Sequence, residues 1–73
     1  MSYQSNLDAE LLDLATLEAE RDALLQRQPA VEPAVGTWQW DQRQIDKANI
    51  ARLDLYIENA KWSVAVLEKK VRA

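Results

Sequence analysis

A chain of 73 residues without cysteine or histidine can form one small domain, and it excludes disulfides and thiolate or imidazole metal ligands. The net charge is −3 and no basic surface extends over the whole domain, which disfavours nucleic-acid binding. No apolar run reaches the ~20 residues of a membrane span. A domain this small buries only ~60% of its unfolded surface. We therefore expect further stability from oligomerisation or from docking onto a larger assembly.

The first predicted helix covers about residues 6–27. A capping box marks its start, with Ser5 as the N-cap and Asp8 as the partner three residues later. Leucines then recur close to helical spacing, at positions 7, 11, 14, 17, 24 and 25. Pro29 ends the helix, because the residue before a proline disfavours the α conformation.

The connector between the helices, residues 28–40, is predicted to be extended. Its two prolines favour extended or polyproline II backbone. After the single glycine, the stretch TWQW alternates as a short strand does, which places Trp38 and Trp40 on one face. The connector is therefore either a minimal β-hairpin or a single extended segment.

The second predicted helix covers about residues 42–71 and opens with another capping box. Asp41 is the predicted N-cap and Gln44 is its partner. Trp40 and Ile45 then hold the two positions of a hydrophobic staple, which would fix the angle at which the chain enters the helix.

This second helix carries apolar residues on two faces. The first face is a heptad seam of the a/d type, and its predicted core residues are Ile50, Leu53, Ile57, Val64 and Leu67. The seam either packs on helix 1 or pairs with another copy of helix 2. The second face lies almost opposite and includes Leu55, Trp62 and Val66. Because helix 1 can cover only one face, the other needs a second neighbour.

Together these elements predict a mainly α fold, a two-helix antiparallel hairpin in one domain over residues 1–73. The charge distribution agrees with this orientation. Residues 1–27 carry six acidic and two basic side chains, a net charge of −4, whereas residues 41–73 carry five acidic and seven basic ones, a net charge of +2. Antiparallel packing brings the acidic start of helix 1 next to the basic end of helix 2.

No catalytic constellation is present in the sequence, which has no nucleophile motif, phosphate loop or metal-ligand spacing. We expect a protein that is not an enzyme and that uses no cofactor and no metal. Because tryptophan is enriched at binding hot spots, the predicted interface residues are Trp38, Leu55, Trp62 and Val66. The alternatives are that the tryptophans cap the hairpin core, that the outer residues are scattered exposed apolar groups, or that the tryptophans stack on nucleic acid.

The stretch ANIARLDLYIENAK, Ala48 to Lys61, resembles the second helix of the small head–tail joining (gpW-like) proteins of tailed phages. The matching positions are Asn49, Ile50, Arg52, Leu53, Tyr56, Ile57 and Ala60. Just upstream, TWQWD resembles the second strand of that family and its turn into the helix.

The resemblance implies a virion structural protein that is made in the host cytoplasm. Its copies would form a ring between the portal and the tail, with portal-like or tail proteins as partners. Hydropathy and charge add that no membrane is expected as a partner and that nucleic acid is not favoured. The alternative is a cytoplasmic coiled-coil adaptor, a helical hairpin that self-associates and binds another protein.

Overall fold

The computed structural model describes residues 2–73, and over this range it contains two α-helices joined by a loop. Helix α1 spans Tyr3–Gln26 and helix α2 spans Trp38–Arg72. Contacts from Tyr3 with Lys70 at one end to Arg27 with Asp46 at the other show that the helices run antiparallel. The hairpin measures 55 × 19 × 15 Å. The predicted fold of two packed helices is confirmed.

Helix α1 begins earlier than predicted, and its N-cap is Ser2 instead of Ser5. Ser2 has extended backbone, and its Oγ accepts a hydrogen bond from the backbone N–H of Ser5 at 3.2 Å. Ser5 therefore lies inside the first turn, and the carboxylate of Asp8 accepts from the amide of Gln4 at 2.9 Å. The predicted Ser5–Asp8 box does not form, because an acceptable cap three residues upstream adds most of another turn of helix.

Of the two alternatives predicted for the connector, the minimal β-hairpin is not supported, because no strand occurs in residues 2–73. The two prolines of the connector remove backbone donors that a strand pair needs. The connector also ends earlier than predicted, because Thr37 caps α2 by accepting from the N–H of Trp40 at 3.2 Å. Gly36 makes the turn into this cap with a positive φ of 88°, a conformation that favours glycine.

Early capping by Thr37 places the predicted Asp41–Gln44 box inside α2. Asp41 lies in the first turn, where its negative charge suits the helix dipole, but it is not the N-cap. The predicted staple between Trp40 and Ile45 is lost for the same reason. The two residues lie in one continuous helix, five positions apart, which separates them by about 140°.

The core is a thin line of contact between the two helices. The buried apolar residues of the described chain are Leu7, Leu53, Ile57, Ala60 and Val64. Ile57, only 1% exposed, lies at its centre. Of the other predicted seam residues, Ile50 and Leu67 are half-buried.

Neither of the two helices in the described part of the chain combines the length and the apolar character that a membrane-spanning helix needs.

Candidate interaction surfaces

The outer side of α2 carries an apolar strip that no other part of the chain covers. Trp62 lies five residues after the buried Ile57, about 140° around the helix, and it is 70% exposed. Leu55 is 61% exposed, Ala51 is exposed and Val66 is half-buried. We call these four residues the α2 edge. It contains three of the four predicted interface residues.

The outer side of α1 carries a second strip, with smaller side chains. Leu12 lies five residues after the buried Leu7 and is 69% exposed. Ala19 and Ala23 continue the strip at helical spacing, and both are exposed. We call these three residues the α1 edge. Sequence analysis did not single out this edge, because the leucine pattern of helix 1 gives apolar residues on most sides.

The hairpin exposes more surface than a compact domain of its size. Its radius of gyration is 16.7 Å, whereas a globular chain of this length has about 11 Å. Its accessible surface is 5440 Å², against about 4600 Å² for a folded monomer of this mass. The excess of roughly 800 Å² is comparable to what one partner buries in a protein–protein interface of standard size.

Trp38 lies apart from the other predicted interface residues. It is exposed in the first turn of α2, roughly 36 Å along the helix from Trp62. With Val31 and Pro33 of the connector it lines an open groove of about 590 Å³, whose polar wall includes Arg27 and Gln39. The structure therefore does not combine Trp38 with the α2 edge in one surface.

A buried carboxylate lies beneath this groove. Asp46 is 3% exposed and accepts hydrogen bonds from the Arg27 Nε at 3.0 Å, the Gln28 Nε2 at 2.9 Å and the Gln42 Nε2 at 3.0 Å. Arg27 and then Gln28 lower the pKa of Asp46 well below its usual range, and they outweigh the opposing effect of burial. Both carboxylate oxygens are engaged, so the group ties the end of α1 to the start of α2.

Four further contacts extend this cluster towards the connector. The Gln28 side chain also donates to the carbonyl of Leu24 at 2.8 Å, and Arg43 donates to Gln28 at 3.1 Å. Arg43 reaches Glu32 at 2.9 Å, and Lys47 lies 3.5 Å from the same carboxylate. Desolvation raises the pKa of Glu32, but the hydrogen bond and charge of Arg43, together with Lys47, lower it overall. We call the contacts around Asp46 and Glu32 the polar latch.

Sequence analysis missed the polar latch, although one signal for it was present. Asp46 precedes Ile50 by four residues, and Ile50 precedes Leu53 by three, so Asp46 continues the heptad seam towards the connector. A lone charged residue at a seam position needs partners once it is buried. The end of helix 1 supplies them in Arg27 and Gln28.

The ion pairs within the hairpin do not neutralise the difference in charge between the acidic α1 and the basic α2. Between the helices, Arg21 of α1 pairs with Asp54 of α2 at 3.2 Å. The acidic start of α1 and the basic end of α2 form no ion pair with each other over residues 2–73, where Lys70 instead lies 5.1 Å from the ring centre of Tyr3. The acidic α1 and basic α2 therefore remain complementary surfaces.

Within residues 2–73, no group of three or more potential ligands could hold a metal ion. Comparisons with protein families, curated proteins and solved structures found no match.

Proposed function

We propose that this protein is a non-enzymatic structural subunit that self-associates through the α2 edge. The observation that carries the proposal is the exposure of Trp62 and Leu55 on a helix whose opposite side already packs against α1. Clusters of large exposed apolar side chains mark interaction sites, and tryptophan is prominent among interface hot spots. The thin core gives a second reason, because burial between copies adds apolar contacts that the single hairpin lacks.

The setting that we propose is the head–tail joint of a tailed phage, where copies form a ring between the portal and the tail. This setting is supported by the resemblance of Ala48–Lys61 to the second helix of the head–tail joining family. Three of its apolar positions, Leu53, Ile57 and Ala60, are buried against α1, as expected for a stretch that pairs two helices.

The alternative is a cellular coiled-coil adaptor that self-associates and binds another protein. The observation favouring it is that TWQW, which should form a strand in a head–tail joining protein, begins α2 instead. The described chain is then a plain helical hairpin, and its heptad seam is the feature typical of coiled coils.

Sedimentation velocity over a range of protein concentrations tests the self-association. We expect the wild type to form oligomers and Trp62→Ala to shift the equilibrium to the monomer. Tyr56→Ala is a matched control, because Tyr56 is also an exposed aromatic residue on α2 but lies about 120° from the middle of the α2 edge. A wild type that stays monomeric throughout would contradict the proposal.

The two settings are separated by fractionation of producing cells. In the phage setting, an antibody to the chain should detect it in purified tailed particles at a fixed number of copies. In the adaptor setting it should remain in the soluble cell fraction, together with its partner. Detection only in the soluble fraction of cells that release complete particles would exclude the head–tail joint.

A further inference from the structure

The α1 edge and the α2 edge lie at matching heights on opposite sides of the hairpin. The pairs Arg21–Asp54 and Arg27–Asp46 set the alignment of the two helices. By this alignment Leu12 lies level with Trp62, Ala19 with Leu55, and Ala23 with Ala51. A second copy placed alongside in the same orientation would bring its α1 edge against the α2 edge of the first, antiparallel and in register.

The side chains that this register brings together fit side by side. The large Leu55 lies level with the small Ala19, and Ala23 lies level with Ala51. Small residues allow two helices to approach closely, and large side chains of the neighbouring helix then fill the remaining space. Leu12 and Trp62 are the one pair of large side chains in the contact, and they supply most of its exposed apolar surface.

The charges beside the edges select the same pairing. Asp8 flanks the α1 edge and Lys69 flanks the α2 edge, within one helical turn of the same height. Neither residue forms an ion pair in residues 2–73. Glu58, beside Trp62 on the α2 edge, lies level with the uncharged Thr16 of a second copy. Two α2 edges packed parallel to each other would bring the basic ends of both helices together, which opposes association.

We propose that copies of this chain associate head to tail, with the α1 edge of one copy packed on the α2 edge of the next. The inference rests on the proposed self-association and names the surface that covers the α2 edge. Because the two contact surfaces differ, the interface is heterologous. Each added copy leaves one α1 edge and one α2 edge open, so the assembly closes into a ring or continues as a filament.

Two variants that each disable one edge test this pairing. Ala19→Arg blocks the α1 edge and Trp62→Arg blocks the α2 edge, while Tyr56→Arg serves as the control for an added charge off both edges. All three positions are exposed, so circular dichroism should show unchanged helix content. Sedimentation is then measured for each variant alone and for an equimolar mixture of Ala19→Arg and Trp62→Arg.

Head-to-tail pairing predicts that Ala19→Arg and Trp62→Arg are each monomeric alone. Mixed, they form a 1:1 dimer and nothing larger, because only one intact edge of each kind is left. Tyr56→Arg should assemble like the wild type. A charge exchange gives a second readout: Asp8→Lys should weaken assembly at least several-fold, and Asp8→Lys combined with Lys69→Glu should restore it.

Assembly of Ala19→Arg at the wild-type level would overturn the pairing but leave self-association through the α2 edge intact. The same holds if the mixture gives no dimer at the highest soluble concentration. A monomeric wild type would instead overturn the proposed function itself, so the two failures can be told apart.

Discussion

The thin core makes Ile57 the residue on which folding of the single chain depends most. Its side chain is 1% exposed and lies between the helices, so Ile57→Ala removes three carbon atoms from a site that solvent does not reach. At ~0.8 kcal/mol for each buried methylene the transfer term is about 2.4 kcal/mol, and the cavity raises the total to ~3 kcal/mol or more.

This loss is large for so small a domain. A chain of 73 residues has a free energy of unfolding of about 4–11 kcal/mol, so Ile57→Ala removes a substantial part of it. Since 1 kcal/mol corresponds to ~4–8 °C in a domain of this size, we expect Tm to fall by about 12–24 °C.

Leu55→Ala is the matched control, because it removes the same number of carbon atoms from a residue on the same helix that is 61% exposed. We expect its effect on the monomer to stay below about 1 kcal/mol. Thermal unfolding is followed by circular dichroism at a concentration where the chain is monomeric, since association stabilises the folded state by mass action. Equal shifts for the two variants would refute the assignment of the core to the Ile57 side of α2.

Three further predictions concern the loop end. Thr37→Ala should lower the free energy of unfolding in urea by ~0.5–2 kcal/mol, and Asp41→Ala should lower it by less, because Thr37 is the N-cap of α2. A larger loss for Asp41→Ala than for Thr37→Ala would show that Asp41 is the N-cap instead. Gly36→Ala should cost ~1–2 kcal/mol in the same assay, because its φ of 88° is strained for alanine although the space is open. The pKa of Asp46 is lower in the folded chain than in the unfolded one, so its contribution to stability is complete above about pH 5 and is lost as the pH falls below ~4. Asp46→Asn should therefore flatten the acid side of the Tm–pH profile, whereas the exposed Asp13→Asn should not; identical profiles for the two variants would contradict the role of the latch.

The two helices could be predicted from the sequence because helical spacing persists over many residues on both sides of the prolines. The helix starts could not, because each start offers two acceptable caps a few residues apart. Ser2 prevails over Ser5 and Thr37 over Asp41, since nothing between them forbids helix and the longer helix forms more backbone hydrogen bonds. The alternation in TWQW is too short to distinguish a strand from the first turn of a helix.

The sequence predicts a feature of the candidate surfaces where that feature depends on one helix alone, and it does not where the feature depends on how the two helices pack. Exposure of Trp62 and Leu55 follows from the angle between two stripes on one helix, which the sequence contains. The partners of Asp46 depend on how far α1 extends and on where the connector crosses α2, and neither is a local property. The α1 edge could be recognised only from the structure, because the packing of the two helices determines which of the many apolar residues of α1 face outward.

The polar latch and the two edges are connected through the alignment of the helices. The thin apolar seam resists sliding weakly, because a slip of one turn, about 5.4 Å, exchanges one aliphatic contact for another. A buried carboxylate with directional partners tolerates no such exchange, since Asp46 would lose Arg27 and Gln28 together. The same slip would separate the levels of Leu12 and Trp62 and so offset the two edges. Besides its contribution to stability, Asp46 is thus expected to fix the register of the two helices, and in this way it links the loop end of the hairpin to assembly through the α1 edge and the α2 edge.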